Sequence, residues 1–221
     1  MSSCLTGFAQ TEEKSADSVK VRPSYKPTGV RFGSDVISII RSSSDKTFDG
    51  WEFNADADFD RYYGTLDVGY WARDYVAPDG TYSNNGTYFR IGADANFLKK
   101  DPDKNMFFFG LRYGHSRFSE NLTVIRDDAD FGNVSIKLIN SHIPAGWFEM
   151  TTGLKVKMWK FFWLGCTARL KFGLSTGEKG DLKPSDVPGF GRTDKQSVWG
   201  FNYQILFRIP IKKAPSIPLE K

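Results

Sequence analysis

Residues Trp147–Leu174 read WFEMTTGLKVKMWKFFWLGCTARLKFGL, and their alternation decides the fold. In the first half Phe148, Met150, Thr152, Leu154, Val156 and Met158 share one face, with Glu149, Thr151, Gly153, Lys155 and Lys157 on the other. In the second, Phe162, Leu164, Cys166, Ala168, Leu170 and Phe172 lie opposite Gly165, Thr167, Arg169, Lys171 and Gly173. Side chains of a strand change face at every residue, so each half is a strand. The runs meet at Trp159-Lys160 with two or three residues to turn, which makes the stretch a tight hairpin. Each arm has about the length a tilted strand needs to cross a bilayer.

The same period recurs along the chain. Trp51–Phe59 sets Trp51, Phe53, Ala55, Ala57 and Phe59 against Glu52, Asn54, Asp56 and Asp58. Arg61–Arg73, Thr87–Phe97, Phe107–Arg117 and Trp199–Ile209 alternate likewise, and Val30–Ile40 does so more weakly. With the two arms of the hairpin, eight strands are expected. Their connections alternate between short and long: short at Asp60, 99–105 and Trp159-Lys160, long at 120–145 and 175–198. An even strand count with that rhythm predicts an all-β, eight-stranded, antiparallel up-and-down transmembrane barrel with short periplasmic turns and longer extracellular loops. Within 120–145, the two-residue spacing of Val134, Ile136 and Leu138 predicts a strand rising above the barrel and pairing in a loop hairpin.

Alternation cannot by itself say which face is inside. Glycines crowd the polar face (Gly33, Gly69, Gly92, Gly110, Gly114, Gly153, Gly165, Gly173, Gly200), and the interior of an eight-stranded barrel has room only for a close layer of side chains. The same face carries charges of both signs, which survive burial when paired. The expected interior network is Glu52, Asp56, Asp58, Arg61, Asp67, Arg90, Asp94, Arg112, Glu149, Lys155, Arg169 and Lys171. The apolar face then meets outer-membrane lipid, with Trp51, Tyr62, Tyr70, Trp199 and Tyr203 available for interfacial belts. A soluble lipocalin-like carrier is the inverse reading, and it requires an apolar interior.

Composition sets outer bounds. The 221 residues suit one domain, and no window is apolar enough for a membrane helix. The net charge of +4 comes from interleaved acids and bases, without the contiguous basic stripe that nucleic acid favours. The two cysteines lack metal-ligand spacing, and no metal or cofactor is expected. Residues 1–9 read as the remnant of an export signal, with Gly7 and Ala9 placed for cleavage before Gln10. A lipobox-like stretch ending at Cys4 and an ordinary disordered N-terminus are the rival readings. Residues 10–28 read as a flexible periplasmic leader, 29–211 as the barrel and 212–221 as a tail.

Four stretches carry a resemblance: FGLRYGHSRFS at Phe109–Ser119, the alternation of Trp147–Phe172, PGFGRT at Pro188–Thr193 and GFNYQILFRIP at Gly200–Pro210. With them the chain resembles a Bacteroidota family of small eight-stranded outer-membrane barrels of unknown function. The resemblance implies export and an outer-membrane barrel. It implies no activity, and no functional residue carries over from it.

The chemistry follows from what is left. His115 and Ser116 are adjacent on one strand, so their side chains point to opposite faces and cannot alone form a nucleophile–base pair. An outer-membrane lipid-modifying enzyme would need them and a carboxylate such as Glu149 to converge at one rim. No catalytic residue is assigned. Phe190 and Arg192, in a Gly/Pro-rich loop, are the expected partner-contact residues. The function expected is a non-enzymatic structural or accessory component with a polar, plugged interior. Its place would be the outer membrane of a Gram-negative bacterium, with both termini periplasmic and another envelope protein as partner.

Overall fold

The computed structural model describes residues 27–98, 101–128, 132–177 and 183–211. The readings for 1–9, for 212–221 and for Cys4, and most of the leader, therefore lie outside the described residues. Eight long strands are β1 (Gly29–Asp35), β2 (Phe48–Phe59), β3 (Tyr62–Ala77), β4 (Gly80–Asn96), β5 (Met106–Asp128), β6 (Gly132–Trp159), β7 (Phe162–Thr176) and β10 (Ser197–Pro210). They close into a barrel in the order β1-β10-β7-β6-β5-β4-β3-β2, and every neighbouring pair is antiparallel. Between β7 and β10 lies a small two-stranded ladder, β8 (Asp186–Val187) with β9 (Gly191–Arg192).

The chain turns tightly at one end of the ring. Between β2 and β3, Asp60 adopts φ 68°, and its N–H donates to the Asp58 carboxylate. Between β6 and β7 the turn falls on Lys160 and Phe161, one residue later than the alternation suggests. The opposite end is taller but less looped than expected. The β3–β4 link is only Pro78 and Asp79, because those strands stay paired from Arg73↔Asn84 out to Ala77↔Gly80. The long segment 120–145 is likewise mostly strand. After a bulge between Phe118 and Glu120, β5 and β6 pair from Glu120↔Asn140 to Asp128↔Gly132, the hairpin its spacing predicts.

One strand ends early. The weak alternation of Val30–Ile40 holds only to Asp35, after which Val36–Ser44 forms a helix, α1, against the outside of β2 and β10. Asp35 is the helix N-cap: its Oδ2 accepts from the Ser38 N–H at 3.0 Å and from the Ser38 hydroxyl at 2.7 Å. Its Oδ1 accepts from the Tyr203 N–H on β10 at 2.9 Å, in place of a strand partner. Local cap chemistry thus overrides a thin hydrophobic pattern.

Register explains the glycines. Across neighbouring strands Glu52 stands opposite Gly69, Arg90 opposite Gly114, Arg112 opposite Gly92, Asp94 opposite Gly110, Lys155 opposite Gly165 and Arg169 opposite Gly200. Each large charged side chain therefore lies beside a residue with none. A Cβ at Gly114 would sit within the Trp147 indole, and one at Gly69 against the Tyr88 ring. Gly173 departs from this scheme. It takes φ +65° at a bulge where β6 and β7 shift register, and Leu174 beside it packs on the interior apolar cluster.

Candidate functional site: the charged interior and its cap

The barrel is layered along its axis. Near the tight turns a small apolar cluster of Tyr63, Met106 and Phe108 fills the interior. At the taller end Tyr88, Phe118, Ile143, Ala145 and Trp147 pack with Val187 and Phe190 of the β8–β9 segment. Between these layers lies the charge network.

At its centre Asp67 meets three guanidinium groups: Arg112, Arg169 at 3.0 Å and Arg90 at 3.8 Å. Glu52 accepts from Arg90 at 2.8 Å, Arg169 at 3.4 Å, the Tyr88 hydroxyl at 2.8 Å and Asn202 at 3.2 Å. Glu149 pairs with Arg90 at 3.0 Å and Arg169 at 3.1 Å, and accepts from the Trp147 indole N–H at 2.7 Å. Asp94 faces Arg112 at 3.0 Å. Towards the turns, Asp56 holds Arg31 at 2.7 Å and Lys155 at 2.8 Å. All of these groups are buried. Taking one such ion out of water costs several kcal/mol, which only close pairing and hydrogen bonding offset. Cation–π contacts join the layers: Arg31 lies 4.6 Å from the Tyr63 ring centre, Arg90 4.6 Å from Tyr88 and Lys155 5.1 Å from Phe108.

Lys171 stands apart. Among the described residues it forms no carboxylate pair; its ammonium donates to the Gly189 carbonyl at 2.8 Å and the Phe190 carbonyl at 3.1 Å. Arg90 adds a bond to the same Gly189 oxygen at 3.1 Å. Further out, Arg73 binds Asp186 Oδ2 at 2.6 Å, and Asn84 donates to the Asp186 carbonyl at 2.7 Å. The segment 186–190 is therefore drawn into the barrel mouth by its backbone, and Phe190 closes over it against Trp147, their ring centres 5.9 Å apart.

Most of the expected network assembles. Glu52, Asp56, Asp67, Arg90, Asp94, Arg112, Glu149, Lys155, Arg169 and Lys171 all lie inside, and Asp58 sits lower with Arg208 at 2.9 Å and Thr28 at 2.7 Å. Arg61 does not belong to it. It stands in the Asp60-Arg61 turn, outside the alternation, with its guanidinium 5.7 Å from the Tyr62 ring. Phe190 is a second correction. It is fully buried as the cap, because an aromatic ring gains more under the Trp147 roof than in water, and cannot be offered to a partner. Arg192 stays exposed beside Asp194. Arg31, Arg208, Asn54 and Asn202 are network members on the polar parity of their strands, so the alternation carried their signal.

His115 lies on the outer face against Phe89, the ring centres 5.6 Å apart, whereas Ser116 turns inward and donates to the Thr87 carbonyl. Glu149 is held by two arginines, so the three do not converge. The charged middle layer is also the opposite of the apolar interior a lipocalin-like carrier requires. Cys166 is exposed on the outer face. Among the described residues no group of His, Cys, Asp and Glu is placed to hold a metal, and no helix is long and apolar enough to cross a membrane, which says nothing of strands.

Two carboxylates at the taller end have shifted acidity. Burial pushes Asp186 up, opposed by Arg73. Burial also pushes Glu120 up, opposed by hydrogen bonds from Asn140 and from the Tyr82 hydroxyl.

A family model described as "Domain of unknown function (DUF6048)" matches residues 1–214. No curated protein and no solved structure matches the chain.

Proposed function

We propose a function from the premise that the chain belongs to the DUF6048 family: a small, non-enzymatic outer-membrane barrel, closed to passage, that serves as a structural or accessory component of the envelope. One observation carries this reading, the inversion of the usual inside and outside. Arg31, Glu52, Asp67, Arg90, Arg112, Glu149 and Arg169 are buried, while Phe53, Leu66, Ile91, Leu111, Phe148 and Phe201 are exposed around the ring. Water rewards the opposite distribution; a hydrocarbon surround rewards this one. A closed sheet also leaves few strand edges for lipid to solvate.

In this reading the tight turns and both described chain ends, near Thr28 and Ile211, face the periplasm, and the β5–β6 hairpin and the β8–β9 segment face outward. The filled interior supports a role in contact rather than transport, with another envelope protein as the partner. Bacteroidota origin and export by a cleaved or lipid-modified N-terminus belong to the same proposal.

The test is purification of the tagged protein from native membranes in mild detergent, with mass spectrometry of what accompanies it. A stoichiometric envelope protein is the expected result. Recovery from the soluble fraction would overturn the membrane reading, and recovery alone from membranes would overturn the accessory role.

A further inference from the structure

The taller end carries a pocket of about 520 Å³ that the interior network does not use. This lies within the roughly 300–1,000 Å³ range of small-ligand sites. Its wall on the β3 side is Tyr75, a residue 45% exposed. Its other side is the β8–β9 ladder and its flanks, with Lys183 and Ser185 before it, Arg192 on its second strand and Asp194 after.

Wall and floor are held by one residue. Arg73 donates from Nη1 both to the Tyr75 hydroxyl at 2.7 Å and to Asp186 Oδ2 at 2.6 Å. The Tyr75 oxygen accepts that bond, which leaves its own proton to donate elsewhere. The flanks are joined by the Thr193 N–H on the Ser185 carbonyl at 3.2 Å and by the Thr193 hydroxyl on the Pro184 carbonyl. A preset pocket of this kind spends little binding energy on ordering itself.

The chemistry of the lining selects the ligand. Lys183, Arg192 and the Tyr75 hydroxyl donate; Asp194 accepts. Asp186 is buried and its Oδ2 is taken by Arg73, so it closes the floor rather than offering an oxygen to a ligand. An inorganic anion suits the site poorly, since a carboxylate lies at the floor and Arg192 is already paired with Asp194 at 2.8 Å. A compound whose every polar group both donates and accepts, and whose C–H face can lie on an aromatic ring, fits both features.

We infer that this pocket binds a carbohydrate, with a sugar ring against Tyr75 and its hydroxyls shared between Arg192, Lys183 and Asp194. The inference goes beyond the proposed envelope role and needs no bilayer. A soluble protein that bound sugar would overturn the membrane reading and leave this one standing.

The experiment is isothermal titration and saturation-transfer NMR on the full chain, folded in a detergent without a sugar headgroup. The probes are the methyl glycosides of glucose, mannose, galactose and N-acetylglucosamine and, separately, inorganic phosphate. At least one glycoside should bind saturably, and Tyr75→Ala should weaken it by about tenfold or more, a single aromatic contact's worth. Arg192→Ala, an exposed change that leaves the cap intact, should weaken it as well, and it carries the test should Tyr75→Ala fail to fold. No saturable glycoside, saturation by phosphate alone, or wild-type binding by the folded variants would each overturn the inference.

Discussion

The ammonium of Lys171 donates to the carbonyl oxygen of Phe190 at 3.1 Å, so a charged side chain of the barrel wall holds the backbone of the segment that closes the barrel. The contact links the interior network to the cap through one residue. Removing it should loosen the cap without emptying the charged layer. In Lys171→Met two buried carbonyl oxygens lose their shared donor, although Arg90 still reaches Gly189. The expected cost is about 1–3 kcal/mol of local stability. Hydrogen exchange at Val187–Phe190 should quicken while the amides of β4 and β5 stay protected; equal protection in variant and wild type would reject the tether.

Asp67 should be the costliest single carboxylate to neutralise. Asp67→Asn leaves Arg90, Arg112 and Arg169 crowded round an uncharged amide, and breaking a buried ion network in this way costs about 3–5 kcal/mol. The exposed Lys157–Asp103 pair gives the contrast, since Asp103→Asn should change stability by less than about 1 kcal/mol. Denaturant titration followed by gel mobility of unheated samples separates the two.

Leu111 tests the outer face. It is 60% exposed at a position level with the charged layer. Within a bilayer, Leu111→Arg should cost about 2–4 kcal/mol and slow or prevent insertion into phosphatidylcholine vesicles. On a water-facing surface the same change would be neutral or would improve solubility.

The taller end should weaken as pH rises. Burial raises both Asp186 and Glu120 above their ordinary values. Between the unfolded and folded values the folded chain holds more protons, so stability is fully present below the unfolded value. It is lost as pH climbs through the folded one. Exchange at Tyr82, Asn140 and Val187 should therefore be better protected, after correction for intrinsic rates, at mildly acidic than at neutral pH. Protection that instead rises with pH would reverse the assignment.

Strand identity and face were legible in the linear chain because side-chain direction in a strand depends only on parity. Glu149, Lys155, Arg169 and Lys171 could be placed on one face from Trp147–Leu174 alone, the glycines and opposite charges of the whole chain turned that face inward, and Arg31 and Asn202 obeyed the same rule. Arg61 failed because it stands in a turn, where parity means nothing. The strand expected to reach Ile40 failed because Asp35 found a cap partner three residues ahead.

What only the tertiary structure decided is which residues meet. Pairing Arg90 with Gly114, or Arg169 with Gly200, depends on register between strands, and register arises from turns and bulges acting together. Phe190 lies in a loop without period, and nothing local shows that it will turn inward. Its burial requires Trp147 from β6, Lys171 from β7 and Arg73 from β3 to converge on a segment distant from all three. A chain records the direction of each side chain locally, but the partner of a buried charge or ring exists only once the sheet has closed.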